Sequence, residues 1–550
     1  MHAPLQHLRV SLPMSVCPLL LAGVVLLVST KGITTESAVC LNGDMPKYLM
    51  NGAYLYDLLR DLPVSNPLTH ISHYFARYPA LSLGHHSLIL PLAEIPFYAV
   101  FGISVFSARL AVVAFMLLAA LALFFLVKAE YDETVAFLST LLMITTPIVV
   151  RNARIVMSEI PTLALVIVTV YLFHRYLATN RRLHLFATVV VLLLSLCSKP
   201  LAVFLVPVLL FQLLIQEGPH RLVRRELRLA GMTLAILALP IAVVTLTCSR
   251  VDVSWLVRRR LGLALETSNL TFLINMLWKE HVTWPTLALS VAAAATAIAR
   301  KDRRAILFLL WIAGCYLLLT AIAVQKSPRY GIYWIPAFCA LAAASVRTLR
   351  SPILRGCTAA ALLLTGACQL GAALRAEVEY ADGYEEAAQY VLAHRKGESV
   401  LYCGHEDTGY FIFFVRKHDP GRNLIVLRSD KLLTEFMLGP GIGRVGQAGG
   451  GLRSVLEQYG VGYVVVEDAG HESLAVTWLR SELQSQAFVL RKAVDLSSNA
   501  RALQGDASLL IYEDLEYRPA PEGSVLEIKI RQIKGAIRVP FKDLVAPAGR

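Results

Sequence analysis

A succession of apolar runs, parted by short loops in which arginine and lysine collect, limits this chain more than any other feature. Several runs reach the ~20 residues that cross a hydrocarbon core of roughly 30 Å. Backbone groups in lipid must find their partners within the segment, so such runs fold as helices. The runs near 13–30, 106–127, 134–150, 162–178, 183–198, 200–216, 229–247, 283–299, 305–324, 330–346 and 356–374 predict about eleven transmembrane helices. Composition agrees, with 56% hydrophobic and 17% charged residues in a chain of 550. The net charge of +13 gathers in the loops, which makes it a signal of topology and argues against nucleic acid as a partner. The cysteines form no CxxC, and no His-rich spacing accompanies them, so neither a metal site nor a disulfide framework is expected.

Loop charge sets the orientation. With an odd number of crossings, Arg175, Arg181 and Arg182 share one side with Arg221, Arg224, Arg225 and Arg228, with Arg300, Lys301, Arg303 and Arg304, and with Arg347, Arg350 and Arg355. By the positive-inside rule that side is the cytoplasm, which leaves a large first loop, 31–105, outside together with 151–161, 248–282, 325–329 and everything beyond about 375. The apolar stretch Ser87–Phe101 is broken by Pro91, Glu94 and Pro96 and reads as an interfacial helix rather than a crossing.

Beyond 375 the pattern changes. Tyr384–Arg395 is amphipathic with helical period; Ser399–Tyr402, Asn423–Leu427 and Gly462–Glu467 read as strands, and Leu452–Tyr459 as a helix before the last of them. "LRKAVDLS" and "ASLLIYEDLE" read as closing strands. The expected fold is therefore a polytopic α-helical membrane domain over 1–375 and an external α/β domain over 376–550. No glycine pattern there marks a nucleotide site.

Ionisable residues at the edge of hydrocarbon are costly and mark function. Four places carry them on the external side: Asp44, Lys47 and Tyr48 in "LNGDMPKYLMNGAYLYD", Glu159 in "RNARIVMSEIP", Lys199 in "CSKP", and Lys326, Arg329 and Tyr330 in "QKSPRYGIYWIP". Cations beside a carboxylate pair can hold a phosphate and move a proton. Structural readings stand beside these. Lys199 and Lys326 can snorkel to the interface, Arg329 can anchor a headgroup, Glu159 can pair with Arg151 or Arg154, and His85 and His86 suit a loop surface or groove lining better than a metal site.

The order of these motifs resembles the polytopic glycosyltransferases of GT-C type that use lipid-phosphate sugars, including protein O-mannosyltransferases, aminoarabinose transferases and bacterial lipopolysaccharide sugar transferases. Asp44 of "GDMPKYL" is similar to the first acidic position of that family, and Glu159 of "SEIP" to the second, usually an Asp. Arg109 falls at the arginine of an "FG-x-S-x-x-x-A-R" turn, and Lys199 with Lys326, Arg329, Tyr330 and Pro336 resembles the family's lysine and arginine elements. His85 and His86 stand where the family often has prolines. The resemblance covers about 10–375.

It implies inverting transfer of a hexose or pentose from a polyprenyl-phosphate donor to the hydroxyl of a lipid, glycan or protein acceptor, on the external face of the membrane; the basic loops and the lack of a eukaryotic retention signal lean towards a bacterial inner membrane. Asp44 would be the general base, Lys199, Lys326 and Arg329 would hold the departing phosphate, and Glu159 would orient the acceptor or serve as base. Tyr48, His85, His86, Arg109, Arg154 and Tyr330 would line or support the site. No cofactor is implied, and a divalent metal stays open. A transporter or flippase would call for inverted repeats and helices broken at the midplane, neither of which the sequence displays; a membrane receptor would leave the acidic external loops without a purpose.

Overall fold

The computed structural model describes residues 16–37, 39, 44–63, 66–83, 86–248, 266–322, 327–404, 409–436, 442–444, 451–468, 474–499, 507–530 and 535–545. The chain runs through α1 (Val16–Ser29), α2 (Met45–Asp61), α3 (Pro67–Arg77), α4 (Ile89–Phe101), α5 (Val105–Glu130), α6 (Glu133–Thr145), α7 (Pro147–Ala153), α8 (Glu159–Thr179), α9 (Arg182–Ser198), α10 (Leu205–Glu217) and α11 (Arg225–Cys248). Helices Thr267–Met276, Trp284–Arg300, Arg303–Ile322, Ile335–Thr348 and Pro352–Arg375 complete the bundle.

The expectation of about eleven crossings is corrected. Among the described residues, 6 helices are long and apolar enough to span a membrane, or 7 if the bent pair α6 and α7 is one span. Apolar composition hid the places where the backbone breaks. The run 134–150 bends by 65° between α6 and α7, where Pro147 brings no N–H to continue the ladder. The runs 183–198 and 283–299 form helices of 17 residues each. The run 330–346 opens with a 3-10 segment, Pro328–Trp334, and leaves a helix of only 14 residues, Ile335–Thr348. The expectation of unbroken helices fails at the same α6–α7 bend.

Packing separates the interior from the lipid-facing surface. α5 and α8 bury long faces against each other and against α9 and α6, whereas α11 leaves Leu229, Met232, Ile236, Leu237 and Leu239 exposed, as an apolar helix facing acyl chains would. The short helix α4 turns Leu90, Glu94 and Tyr98 inward, toward α2.

The C-terminal region is built on a mixed sheet. β1 (Ala381–Asp382), β2 (Ser399–Cys403) and β3 (Ile425–Arg428) are followed by a small pair, β4 (Thr434–Phe436) and β5 (Ile442–Arg444). Then come β6 (Val461–Asp468), β7 (Phe488–Ser498), β8 (Ala507–Asp514) and a terminal hairpin of β9 (Val525–Ile530) and β10 (Gly535–Pro540). The main sheet has 6 strands in the order β1-β7-β8-β6-β2-β3, with β3, β2 and β6 parallel and β8, β7 and β1 antiparallel. Side chains alternate across it. Val400, Tyr402, Val465 and Ile511 pack with helices Tyr384–Ala393 and Tyr410–His418, while Leu401, Cys403, Val464 and Val466 pack on the other face with Leu452, Leu456, Leu479 and Leu483. The molecule is thus a multi-pass membrane protein with a large extramembrane C-terminal domain.

Candidate active site

α2 begins at Asp44, which occupies the N-cap without using its side chain as a cap. Pro46, at the second helical position, needs no partner for an N–H it does not have. The Asp44 carboxylate is consequently available, and its negative charge suits a helix N-terminus. Its Oδ1 lies 3.1 Å from Lys47 Nζ and 3.1 Å from His86 Nε2, and its Oδ2 3.9 Å from Arg329 Nη2. Partial burial alone would raise this carboxyl, but the hydrogen bond and charge of His86, with Lys47 behind them, hold it well below the usual carboxylate range.

Glu159 opens α8 and is fully buried. Lys199 Nζ donates to its Oε1 at 2.6 Å, and Arg329 Nε sits 3.2 Å from the same oxygen as an ion pair. Among the described residues its Oε2 has no hydrogen-bond partner. α8 and α9 are tied by the 2.7 Å contact of Thr162 Oγ1 with Ser198 Oγ, which brings the end of α9, and so Lys199, to the start of α8. Lys199 and Arg329 also face the Tyr330 ring, at 5.0 and 5.7 Å from its centroid. Burial would lower the Arg329 guanidinium, yet the charge of Glu159 keeps it above its ordinary value.

Arg329 therefore links two acids that lie far apart in sequence, and with Lys47 and Lys199 it sets three cations against two carboxylates. Tyr48 closes one wall. It is buried, meets the His86 ring edge-on at 5.6 Å, and burial, then the Glu159 charge, push its phenol upward so that it stays protonated. A site with surplus positive charge, one unsatisfied buried carboxylate oxygen and an accessible carboxylate can hold an anion and accept a proton.

The structure thus brings together Asp44, Tyr48, His86, Glu159, Lys199, Arg329 and Tyr330. Arg109 and Arg154 lie elsewhere and act as braces. Arg109 donates to the carbonyls of Lys31 and Gly32, and Arg154 donates to Val28 O at 2.8 Å and Ala373 O at 2.8 Å. His85 and Lys326 lie outside the described residues. Among those described, no group of three or more His, Cys, Asp or Glu side chains converges as a metal ion would require.

Sequence reasoning missed His281. Its Nε2 lies 2.7 Å from Pro328 O and its Nδ1 accepts from Trp334 Nε1 at 3.1 Å. Those two partners fix the neutral tautomer with the proton on Nε2, and burial lowers the ring's pKa to about 4. A Cβ on Gly331 would overlap the His281 ring. The imidazole thus clamps the 3-10 segment that carries Arg329 and Tyr330, and the only trace in the sequence is the glycine inside "RYGIYW".

Comparison with known proteins finds likeness of fold. A family model described as dolichyl-phosphate-mannose-protein mannosyltransferase matches residues 86–244. No curated protein matches the chain. Among solved structures, ArnT from Cupriavidus metallidurans bound to undecaprenyl phosphate superposes with a TM-score of 0.59 at 12% identity, over 90% of this chain and 97% of that one. The Archaeoglobus fulgidus oligosaccharyltransferase in complex with Zn and sulfate superposes with a TM-score of 0.52 at 13% identity, over 82% of this chain and 68% of that one.

Proposed function

We propose that this chain, whose fold is similar to those of the two solved transferases and whose residues 86–244 match the mannosyltransferase family model, is a glycosyltransferase of GT-C type that transfers a sugar, with inversion, from a polyprenyl-phosphate donor to an acceptor hydroxyl on the external face of a membrane. The observation that carries this reading is Arg329 held between Asp44 and Glu159, with Lys199 on the second acid. In the scheme, Asp44 takes the proton of the acceptor hydroxyl as its oxygen attacks the anomeric carbon. The bond to phosphate breaks with its electrons on the phosphate oxygen, and Arg329 and Lys199, joined by Lys326, stabilise that charge. Glu159 holds the two cations in place and offers its free oxygen to the acceptor. A phosphate leaving group needs fixed positive charge more than it needs a proton, and the site supplies that charge from its own side chains.

The proposed setting is a bacterial inner membrane, with a catalytic domain over 1–375 and an outer domain over 376–550 that helps bind the acceptor. The relatives in hand do not share one donor or acceptor by their names, so a hexose or pentose donor and a lipid, glycan or protein acceptor are all in range. Mass spectrometry of lipid-linked sugars and envelope glycans tests the reading, in cells with the wild type, without the gene, and with Asp44→Asn at equal membrane expression. Build-up of one polyprenyl-phosphate sugar with loss of that sugar from a glycan, lipid or protein supports it and names both substrates. Identical pools in all three strains would remove the transferase reading in favour of a transporter or receptor.

A further inference from the structure

Asp44 is held by a circuit of hydrogen bonds that starts and ends on α2. About two turns along that helix stands Asn51, which is shut off from solvent. Its Oδ1 accepts the backbone N–H of Ser82 at 2.9 Å, and its Nδ2 donates to the Ser82 carbonyl at 3.4 Å. The same carbonyl accepts the backbone N–H of His86 at 3.3 Å, and Ser82 Oγ lies 2.8 Å from His86 Nδ1. His86 then donates from Nε2 to Asp44 Oδ1 at 3.1 Å, which closes the circuit. The Ser82 hydroxyl serves Nδ1 as donor or as acceptor, so Nε2 keeps its hydrogen whether the imidazole is neutral or charged. Packing stiffens the arrangement. The His86 side chain is only 6% exposed, with the Tyr48 ring against it, whereas Lys47 reaches the same Oδ1 on a flexible stem that is 27% exposed.

We propose that Asn51, Ser82 and His86 are positioning residues, which together turn the Asp44 carboxylate so that its Oδ2 meets the acceptor hydroxyl. This rests on the reading of Asp44 as the base. The torsion that turns a carboxylate is broad and nearly two-fold, so the backbone alone would leave either oxygen within reach of the acceptor. With Oδ1 tied into the circuit, Oδ2 is the one left toward Arg329, at 3.9 Å, beside the cation that would hold the departing phosphate. The acceptor proton passes to Oδ2, the electron pair of the broken O–H bond forms the bond to the anomeric carbon, and the phosphate leaves with the pair of the old bond. Such a step loses about a hundredfold when a reacting group is out of place by about 1 Å. The circuit also accounts for Asn51, because a buried amide is costly unless its polar atoms find partners, and both ends of this one go to Ser82. His86 stands where the resembled family often has a proline, a residue with no side-chain donor, so the circuit belongs to this chain rather than to the shared pattern.

The test uses the full chain in cells without the chromosomal gene. Mass spectrometry follows the rate at which the transferred sugar appears on its acceptor after induction, per molecule in the membrane, and thermal unfolding of each purified variant checks its folding. His86→Leu, which fills the space without a donor, should slow transfer about tenfold. His86→Gln, whose amide nitrogen reaches about as far as Nε2, should restore most of the rate. Asn51→Ala opens the circuit at its far side and should slow transfer by a smaller factor. Added to His86→Leu it should cost nothing more, because the circuit is already open. Factors that multiply in the double variant, or a Gln variant no faster than the Leu variant, overturn the circuit. Should His86→Leu fail to fold, Ser82→Ala replaces it in the pair with Asn51→Ala, and multiplied factors there overturn the circuit as well. A wild-type rate in His86→Leu with Asp44→Asn inactive also overturns it and leaves the base standing. Transfer retained in Asp44→Asn removes the base and the circuit with it, and sugar pools that are identical with and without the gene remove the transferase reading altogether.

Discussion

The two ends of α2 carry the same chemistry to opposite purposes. Near its C-terminus Asp57 is fully buried and saturated: Arg416 donates from Nε at 2.8 Å and from Nη2 at 2.6 Å, and Tyr74 OH adds a third bond at 2.9 Å. At its N-terminus the Asp44 side chain is 34% exposed and meets Arg329 only at 3.9 Å. Glu159, though buried, keeps one oxygen without a partner. A carboxylate whose acceptor sites are all used is a brace, and one held short of saturation beside surplus cations has room for a ligand. Saturation separates the two more sharply than burial does, since Asp57 and Glu159 are equally hidden.

Substitutions at the two ends should therefore fail in different ways. The largest effect belongs to Asp44→Asn, which should lower transfer by about 10²–10⁴-fold while leaving the thermal unfolding midpoint in place; a lowered midpoint with retained turnover would reverse the assignment of the two ends. Arg416→Ala strands Asp57 in the interior and should cost about 3–5 kcal/mol of stability, read by thermal or denaturant unfolding, with little change in turnover per folded molecule. Gly331→Ala forces the His281 ring aside and should cost about 1–3 kcal/mol, with a raised KM for the donor as Arg329 shifts. A further effect is one of pH. The His281 pKa is depressed by burial to about 4 in the fold, so the unfolded chain binds that proton more readily. Its contribution to stability is complete above the ordinary histidine value of about 6.5 and is lost as pH falls through about 4. Unfolding midpoints should drop over that interval in the wild type and drop less in His281→Gln.

Much of this is legible in local sequence pattern. β2 and β6 lie where short, nearly unbroken apolar runs place them, because each strand is covered on both faces. Asp44, Glu159, Lys199 and Arg329 were visible because each interrupts or borders an apolar run. Hydropathy did not reveal where those runs break. Pro147 bends one of them, and the 3-10 turn at Pro328 shortens another. Contacts between distant segments left still less trace. Asp57 and Arg416 are separated by 359 positions, each looks like an ordinary surface charge in its own segment, and only the fold shows them to be one pair. His281 was silent for the same reason: its partners are a carbonyl and an indole about fifty residues away.

The C-terminal region splints α2 along its length. Gly409 sits against Pro46 at the start of the helix, where an added Cβ would come within 3.2 Å, and Arg416 grips Asp57 near its end. The helix is braced from two sides, because α2 also packs along α4, which lies on α5 of the membrane bundle. The position of the Asp44 carboxylate is thus set by the bundle and the C-terminal region together, and a change in either that moved it by about 1 Å would be enough to change a reaction rate about a hundredfold.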